Sequence, residues 1–346
     1  MKIGILTFHE ADSYGAVLQA YALQQTLKKL GADCEFVQIQ APTLPEQTVP
    51  AGAAASFARR LQAEGQKRKA LFDAFRREHL YISGTYAAGD PIDVHYDRFV
   101  AGSDQIWNFR IPGADARYFL PFAAAEKRFS YAASFGSDAL PEKAMAWAAQ
   151  QLSCFRGISV REQSGCEIVK ELTGREALVC LDPTLLPERT DWEALAPQAD
   201  AEPYLLLFLL KYDEKLAARA REEAQRRSLP LRVVTAAFMP QMGMDSWNTT
   251  GVVDWLGAIR NAQCVFTNSF HGLVFSIIFG RHFHAQLLTG ELQSRNGRVA
   301  EFLNFLGLTD ALEDIVEPDY ERVRTLLEPM RNASLDYLRR ICHDSV

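Results

Sequence analysis

Four short stretches of the chain carry residue types suited to acid–base and anion chemistry, each placed just after an apolar run of strand length. The first spans residues 7–23, where His9, Asp12, Tyr14 and Gly15 stand ahead of an apolar helical pattern. The second spans 100–108 and contains Ser103, Asp104 and Trp107. The third spans 130–136 and is followed by 158–162, which sets Arg161 at the end of an apolar run. The fourth spans 267–275 and holds Asn268, Ser269, His271 and Gly272. A histidine in the first turn of a helix is a candidate acid or base, because the positive end of the helix dipole favours the neutral imidazole. An arginine at a strand end offers a fork that matches a carboxylate or phosphate. Asp104 could orient His271 or activate a hydroxyl, and Trp107 offers an aromatic face. Gly15 would let a ligand approach the backbone closely at a helix start. Each residue also has a plainer role. Asp12, Ser13, Asp104, Asn268 or Ser269 could cap a helix or turn, Arg161 could pair with Glu162 or a neighbour, and Trp107 could fill a core.

Placing these side chains together takes an alternation of strands and helices. The first strand is read at Lys2–Phe8 and the second at Cys34–Ile39. Between them, Ala16, Ala20, Leu23, Leu27 and Leu30 recur at spacings of four and three, and Gly31 closes the helix. Residues 41–55 read as a loop and 56–79 as a charged helix. Strands recur near 98–101, 129–133, 157–160 and 178–181. Asp182-Pro183-Thr184, Pro187 and the polar run to Pro203 then read as a linker. A second alternation follows, with strands at 204–210, 231–235 and 264–267 and a helix at 213–227. The tail from Tyr320 is one long helix, interrupted or kinked near Pro329. The pattern predicts an α/β protein of two Rossmann-like domains with parallel sheets, over 1–185 and 186–320. A terminal helix over 321–346 is expected to pack back on the body. Ligands of such sheets bind at the C-terminal ends of strands, where all four stretches lie.

Bulk properties narrow the function. The chain has 346 residues, more than one core usually serves, with 48% hydrophobic and 23% charged residues. With 37 basic against 43 acidic residues the net charge is −6, which argues against nucleic acid as a partner. The apolar run after Met1 is too short for a secretory signal, and the richest run, 204–210, is far short of a membrane span. Six scattered cysteines without a C-x-x-C pair suit a reducing compartment, so a cytoplasmic protein is expected, with room for peripheral attachment at the inner membrane face. No Gly-x-Gly-x-x-Gly, P-loop or Gly-x-Ser-x-Gly motif is present, which removes the usual support for NAD, ATP or a hydrolase elbow. His282 and His284 alternate without a carboxylate or cysteine spaced beside them, so neither a metal nor a cofactor is expected.

In this order, the four stretches closely resemble the polysaccharide pyruvyl transferase family, from residue 3 to about residue 308. The resemblance implies a GT-B-like fold with an interdomain cleft. It also implies transfer of pyruvate from phosphoenolpyruvate to two hydroxyls of a sugar, as a ketal, with a glycan or lipid-linked sugar as acceptor. Characterised members are similar at the fourth stretch but read Asp-Arg-Leu-His-Gly. Here Ser269 stands where their donor-binding arginine stands. On this reading His271 and Asp104 are catalytic. Arg161, Ser269 and Gly272 bind the donor, with Arg295 or Arg298 supplying the cation that Ser269 lacks. His9, Asp12, Tyr14, Gly15, Ser103 and Trp107 are assigned to the acceptor, whose loops are expected at 41–55 and 236–250. Two other readings share the layout: a nucleotide-sugar-dependent GT-B glycosyltransferase, and a glycan-binding member without catalysis.

Overall fold

A computed structural model describes residues 1–39, 53–87, 90–110, 116–198, 202–290, 293 and 296–343. Its first half is built on a parallel sheet of five strands: β1 (Lys2–Leu6), β2 (Asp33–Ile39), β3 (Ile82–Tyr86), β4 (Arg98–Ala101) and β5 (Arg128–Ser130). Their order across the sheet is β3-β2-β1-β4-β5. Single bridges from Phe129 to Gly157 and from Ala133 to Val160 carry it on to β6 (Ser159–Val160), which pairs with β7 (Leu178–Val179). The chain reverses direction across the sheet between β1 and β4, the switch point at which doubly wound sheets open a crevice. The helices of this half are α1 (Tyr14–Lys29), α2 (Ala53–His79), α3 (Glu142–Ser153) and α4 (Gln163–Thr173).

After α5 (Arg189–Leu195), a second parallel sheet takes β8 (Leu205–Leu209), β9 (Leu231–Thr235), β10 (Cys264–Thr267) and β11 (His282–Ala285), in the order β11-β10-β8-β9. Its two central strands, β8 and β10, are near-continuous apolar runs buried throughout, while the edge strands β9 and β11 carry Arg232, His282 and His284. The helices of the second half are α6 (Glu214–Arg227), α7 (Asp245–Asn248), α8 (Val252–Asn261), α9 (Phe270–Ile278) and α10 (Gly297–Leu306). The switch point here lies between β8 and β10. The architecture is thus the expected GT-B-like α/β plan of two parallel sheets.

The two halves share apolar cores through the helices that follow β1 and β10. Tyr14, Val17, Leu18 and Ala22 of α1 pack in one cluster with Phe208, Trp255, Leu273 and Phe275 of the second half. Phe270 and Val274 of α9 pack in another with Ile3, Ile5 and Val100 of the first. The last helix, α11 (Tyr320–His343), runs through Pro329 without interruption. It places Tyr337, Leu338 and Ile341 against that same first-sheet core.

The segment read as a linker, Asp182–Pro203, does lead from the first sheet to the second, and its described part is structured: Asp182 is buried, Pro183–Leu185 forms a short turn of helix and α5 follows. Residues 41–52 of the expected acceptor loop lie outside the described residues.

Candidate active site

The turns after β1 and β10 meet across the switch points and enclose a cleft of about 360 Å³. From the first half it is lined by Phe8, Ser13, Tyr14, Gly15 and Asp104. From the second it is lined by Phe208, Ser269, Phe270, His271 and Arg298. A side chain at Gly15 would overlap the His271 ring, with Nδ1 nearest. The glycine is therefore required for contact between the two halves: what approaches its backbone is the imidazole. Ser13, at the start of α1, makes no side-chain cap, so the first-turn amides at Gly15 and Ala16 border the cleft without a capping hydroxyl.

His271 is 8% exposed. Its Nε2 points at Asp182 Oδ2 from 3.5 Å, an ion-pair distance but too loose for a formed hydrogen bond. Asp182 is anchored from both sides. Oδ1 accepts from the Thr184 amide at 3.0 Å and the Thr184 hydroxyl at 2.7 Å, while Oδ2 accepts from Arg161 Nη1 at 2.6 Å. Burial alone would push this carboxyl up. The charge of His271 when protonated, Arg161 and the Thr184 hydroxyl outweigh burial and hold it well below the usual carboxylate range. Sequence reasoning missed Asp182. A signal was present, a carboxylate directly after the apolar run ending at Leu181, which is the criterion that singled out the other motifs.

Arg161, also buried, reaches Asp104 Oδ1 with Nη2 at 3.4 Å, and its Nε lies 3.8 Å from Glu162. Both terminal nitrogens of its fork are thus engaged by protein carboxylates, while Nε has no hydrogen-bond partner. Phe270 lies beside both cations, with the guanidinium carbons of Arg161 and Arg298 at 5.2 and 5.6 Å from its ring centre. Arg298 also stands 3.9 Å from Asp104 and lines the cleft. Asp104 has a backbone φ of 68°, uncommon for a non-glycine residue, and accepts from its neighbour's amide at 2.8 Å. Burial pushes its carboxyl up, but Arg161, His271 and Arg298 together bring it below its ordinary value. Arg295 lies outside the described residues.

Ser269 is the N-cap of α9, its hydroxyl accepting from the Gly272 amide at 3.3 Å. Gly272 lets the helix sit on its own sheet, since a Cβ there would stand 2.5 Å from Thr267 Oγ1 and 3.0 Å from Phe208. Ser103 and Trp107 are not brought to the cleft. Ser103 is fully buried and its hydroxyl donates to the Ala132 carbonyl. Trp107 is 1% exposed, stacks on Phe119 and donates to the Tyr118 carbonyl. Asp12 accepts from Arg76 at 2.7 Å. Tyr14 borders the cleft but turns its hydroxyl to the Thr250 carbonyl, while its ring stacks on Trp255 at 5.0 Å. His9 lies in a separate pocket beyond Phe8.

A second residue not singled out from the sequence is Arg68 of α2, 3% exposed. It donates to the Tyr14 hydroxyl at 3.0 Å and to the carbonyls of Asp12, Ala236 and Trp247 at 3.3, 3.2 and 2.8 Å. It thereby ties a helix of the first half to the loop after β9 that faces the cleft. The signal for it was positional: Arg68 shares a helix face with Phe72 and Phe75, where a solvated arginine is not expected.

Among the described residues, no group of three or more His, Cys, Asp or Glu is placed to hold a metal ion, and no helix is long and apolar enough to cross a membrane. Comparison with solved structures gives distant likenesses. Against UGT89C1 of Arabidopsis thaliana complexed with UDP-L-rhamnose, identity is 13% over 98% of this chain and 92% of that one, with a TM-score of 0.42. Against a UDP-glucosyltransferase of Polygonum tinctorium capable of glucosylating indoxyl, identity is 11% over 99% of both chains, with a TM-score of 0.37. No curated protein matches. A model of one family, polysaccharide pyruvyl transferase, matches residues 14–285, taking in the Gly15 turn, both buried acids and the His271 turn. The chain belongs to the polysaccharide pyruvyl transferase family.

Proposed function

We propose that the protein transfers a pyruvyl group from phosphoenolpyruvate to two hydroxyls of a sugar in a cell-surface or exopolysaccharide precursor. The observation that carries this reading is the single imidazole held between Gly15 and Asp182 in a cleft that also contains Arg298. One sugar oxygen adds to C2 of the donor as a proton reaches the methylene carbon, and the second displaces phosphate from C2. Proton transfer and stabilisation of charge are the two demands on the protein.

His271 supplies the first. With Nε2 turned to Asp182, Nδ1 is the nitrogen left to carry a proton within the cleft. The buried carboxylate fixes the ring and stabilises it when charged. Arg161 keeps Asp182 and Asp104 ionised, a positioning task, and its fork is not open to the donor. The donor's anionic groups fall to Arg298 and the uncapped first turn of α1, with Arg298 standing in for the arginine that Ser269 replaces. Acting on a precursor before export, the protein works in the cytoplasm.

Thermal shift with phosphoenolpyruvate and with UDP- and GDP-sugars tests the donor, since a ligand of the native state raises the midpoint. The expected result is a rise with phosphoenolpyruvate that shrinks in His271→Ala. A rise with sugar nucleotides alone would replace pyruvyl transfer by glycosyl transfer, and no rise with any of them would favour a non-catalytic member.

A further inference from the structure

Gln105 follows Asp104 on the turn after β4, and both line the reacting cleft. Gln105 is 4% exposed, and its carboxamide is held in one orientation. Asn108 Oδ1 accepts from the Arg110 amide at 2.9 Å, so the other branch of Asn108, Nδ2, is the one that donates. It donates to Gln105 Oε1 at 3.1 Å. Turning the Gln105 amide over would set donor against donor. Gly136 backs the pair, since a Cβ there would stand 2.9 Å from the Gln105 amide carbon and closer still to Asn108. Gln105 Nε2 is thus the branch turned away from Asn108. Among the described residues it donates to none, and it is not sealed from solvent.

Asp104 offers the complement. Its Oδ1 accepts from the Gln105 amide at 2.8 Å and from Arg161 at 3.4 Å, and Arg298 approaches that same oxygen. Oδ2 accepts from no described residue and is likewise open. Burial opposes ionisation here, but Arg161, His271 and Arg298 outweigh it, so at neutral pH Oδ2 accepts hydrogens and carries none. An unused acceptor and an unused donor therefore come from consecutive residues on one wall of the cleft. A carboxylate or phosphate would gain the N–H groups of Gln105 but meet the charge on Oδ2. A hydroxyl both donates and accepts, so it satisfies the two groups at once and brings no like charge.

We infer that Asp104 Oδ2 and Gln105 Nε2 form a hydroxyl-binding pair that seats the acceptor sugar, the hydroxyl donating to Oδ2 and accepting from Nε2. Within the stretch 100–108 the acceptor is then met by Gln105, not by Ser103 or Trp107, which are buried in the core. The inference rests on the pyruvyl-transfer reading for the identity of the acceptor, but not for the existence of the pair.

The test uses the whole protein labelled with ¹⁵N-glutamine. It is titrated with the methyl glycosides of glucose, galactose, mannose, N-acetylglucosamine and N-acetylmannosamine, and separately with phosphoenolpyruvate. The Gln105 side-chain signal is assigned by its loss in Gln105→Glu, which keeps the oxygen that Asn108 needs. At least one glycoside should move that signal. In Gln105→Met, which has no N–H to give, the same glycoside should bind more weakly, on the order of tenfold, with phosphoenolpyruvate binding unchanged. Should Gln105→Met fail to fold, glycoside affinity is read in Gln105→Glu at about pH 8, where a carboxylate only accepts and the same loss is expected. A signal that no glycoside moves, or a glycoside affinity that the substitution leaves intact, overturns the pair. So does a Gln105→Met protein that loses phosphoenolpyruvate binding as fully as glycoside binding, which would move Gln105 to the donor. Donor binding in the unsubstituted protein is read apart from this by the thermal midpoint. If phosphoenolpyruvate leaves the midpoint unchanged while a glycoside moves Gln105, the donor reading fails and the hydroxyl site stands. If it raises the midpoint while every glycoside leaves Gln105 unmoved, the hydroxyl site fails and the donor reading stands.

Discussion

The turns that open α1 and α9 look alike in sequence, each a serine followed closely by a glycine at the start of an apolar helix, yet they do opposite work. At α9, Ser269 caps the helix through the Gly272 amide, and Gly272 serves packing against Thr267 and Phe208 within its own half. At α1, Ser13 caps nothing, and Gly15 makes room for a side chain from the other half. One turn is closed on itself and presents a histidine. The other is left open and receives it. The helix that presents His271 is therefore capped from within its own half, whereas the helix with uncapped amides stands across the cleft, where an anion would need them.

The difference can be tested from its strongest point outward. Asp182→Asn removes the carboxylate that holds the presented histidine and leaves Arg161 buried without its closest partner. Breaking a buried pair from one side costs about 3–5 kcal/mol, to be read by denaturant unfolding at pH 7. The sign with pH is fixed by the direction of the shifts. Asp182 and Asp104 both titrate lower in the folded state than in the unfolded one, so their stabilisation is complete above the unfolded carboxylate range near pH 4 and is lost as pH falls below it. The variant should lose less stability than wild type between about pH 4 and pH 2. An equally steep acid limb would mean that Asp182 is not ionised in the native protein.

Gly15→Ala comes next and probes the receiving turn. The new methyl group occupies the space of the imidazole, so His271 must swing away from Asp182 or the halves must part. Misplacement by about 1 Å costs on the order of 10²-fold in turnover. Phosphate release from phosphoenolpyruvate measures it, and the fold should survive, because the clash is with a side chain at a cleft. Undiminished turnover would sink the assignment of His271 in this orientation.

Gly272→Ala is the matched change at the presenting turn, and its effect should fall on stability. A Cβ there meets Thr267 and Phe208, both buried, so overpacking of about 1–3 kcal/mol is expected. Two glycines, one per turn, should thus separate into an activity variant and a stability variant. If Gly272→Ala were stable and inactive instead, the division of labour between the turns would be wrong.

How far this division could be read beforehand depended on whether the signal was local. The helix after β1 was legible from the spacing of Ala16, Ala20, Leu23 and Leu27, and all four are buried. Placing motifs at strand ends found His271 and Asp104, whereas Arg298 was named with Arg295 only as a stand-in for the cation that Ser269 lacks; all three of His271, Asp104 and Arg298 line one cleft. Partners at long sequence distance were not legible. Arg161 had Glu162 as its obvious neighbour, but Asp182, 21 residues on, takes it at 2.6 Å. Asp182 was masked by Pro183 and Pro187, which suggested a linker, and its place is set by the Thr184 turn and by the return of α11. On that helix Ser334 accepts from the Leu181 amide at 3.0 Å. Ser103 and Trp107 show the converse error. Their types suggested chemistry, but their hydrogen bonds end on backbone carbonyls inside the core.

The smallest effects give the sharpest contrast, because the two serines differ by a single hydrogen bond. Ser269→Ala deletes a cap and should cost about 1 kcal/mol. Ser13→Ala deletes none and should stay within about 0.5 kcal/mol, as surface changes without a special role do. Denaturant midpoints of the two variants, compared at constant slope, read both values directly. The pair also bears on the donor. If Ser269 only caps α9, phosphoenolpyruvate should bind Ser269→Ala as it binds wild type, while Arg298→Gln should weaken it. Weakened binding in Ser269→Ala at unchanged stability would reverse the argument: the serine would then touch the donor directly, and the closed turn would be part of the anion site after all.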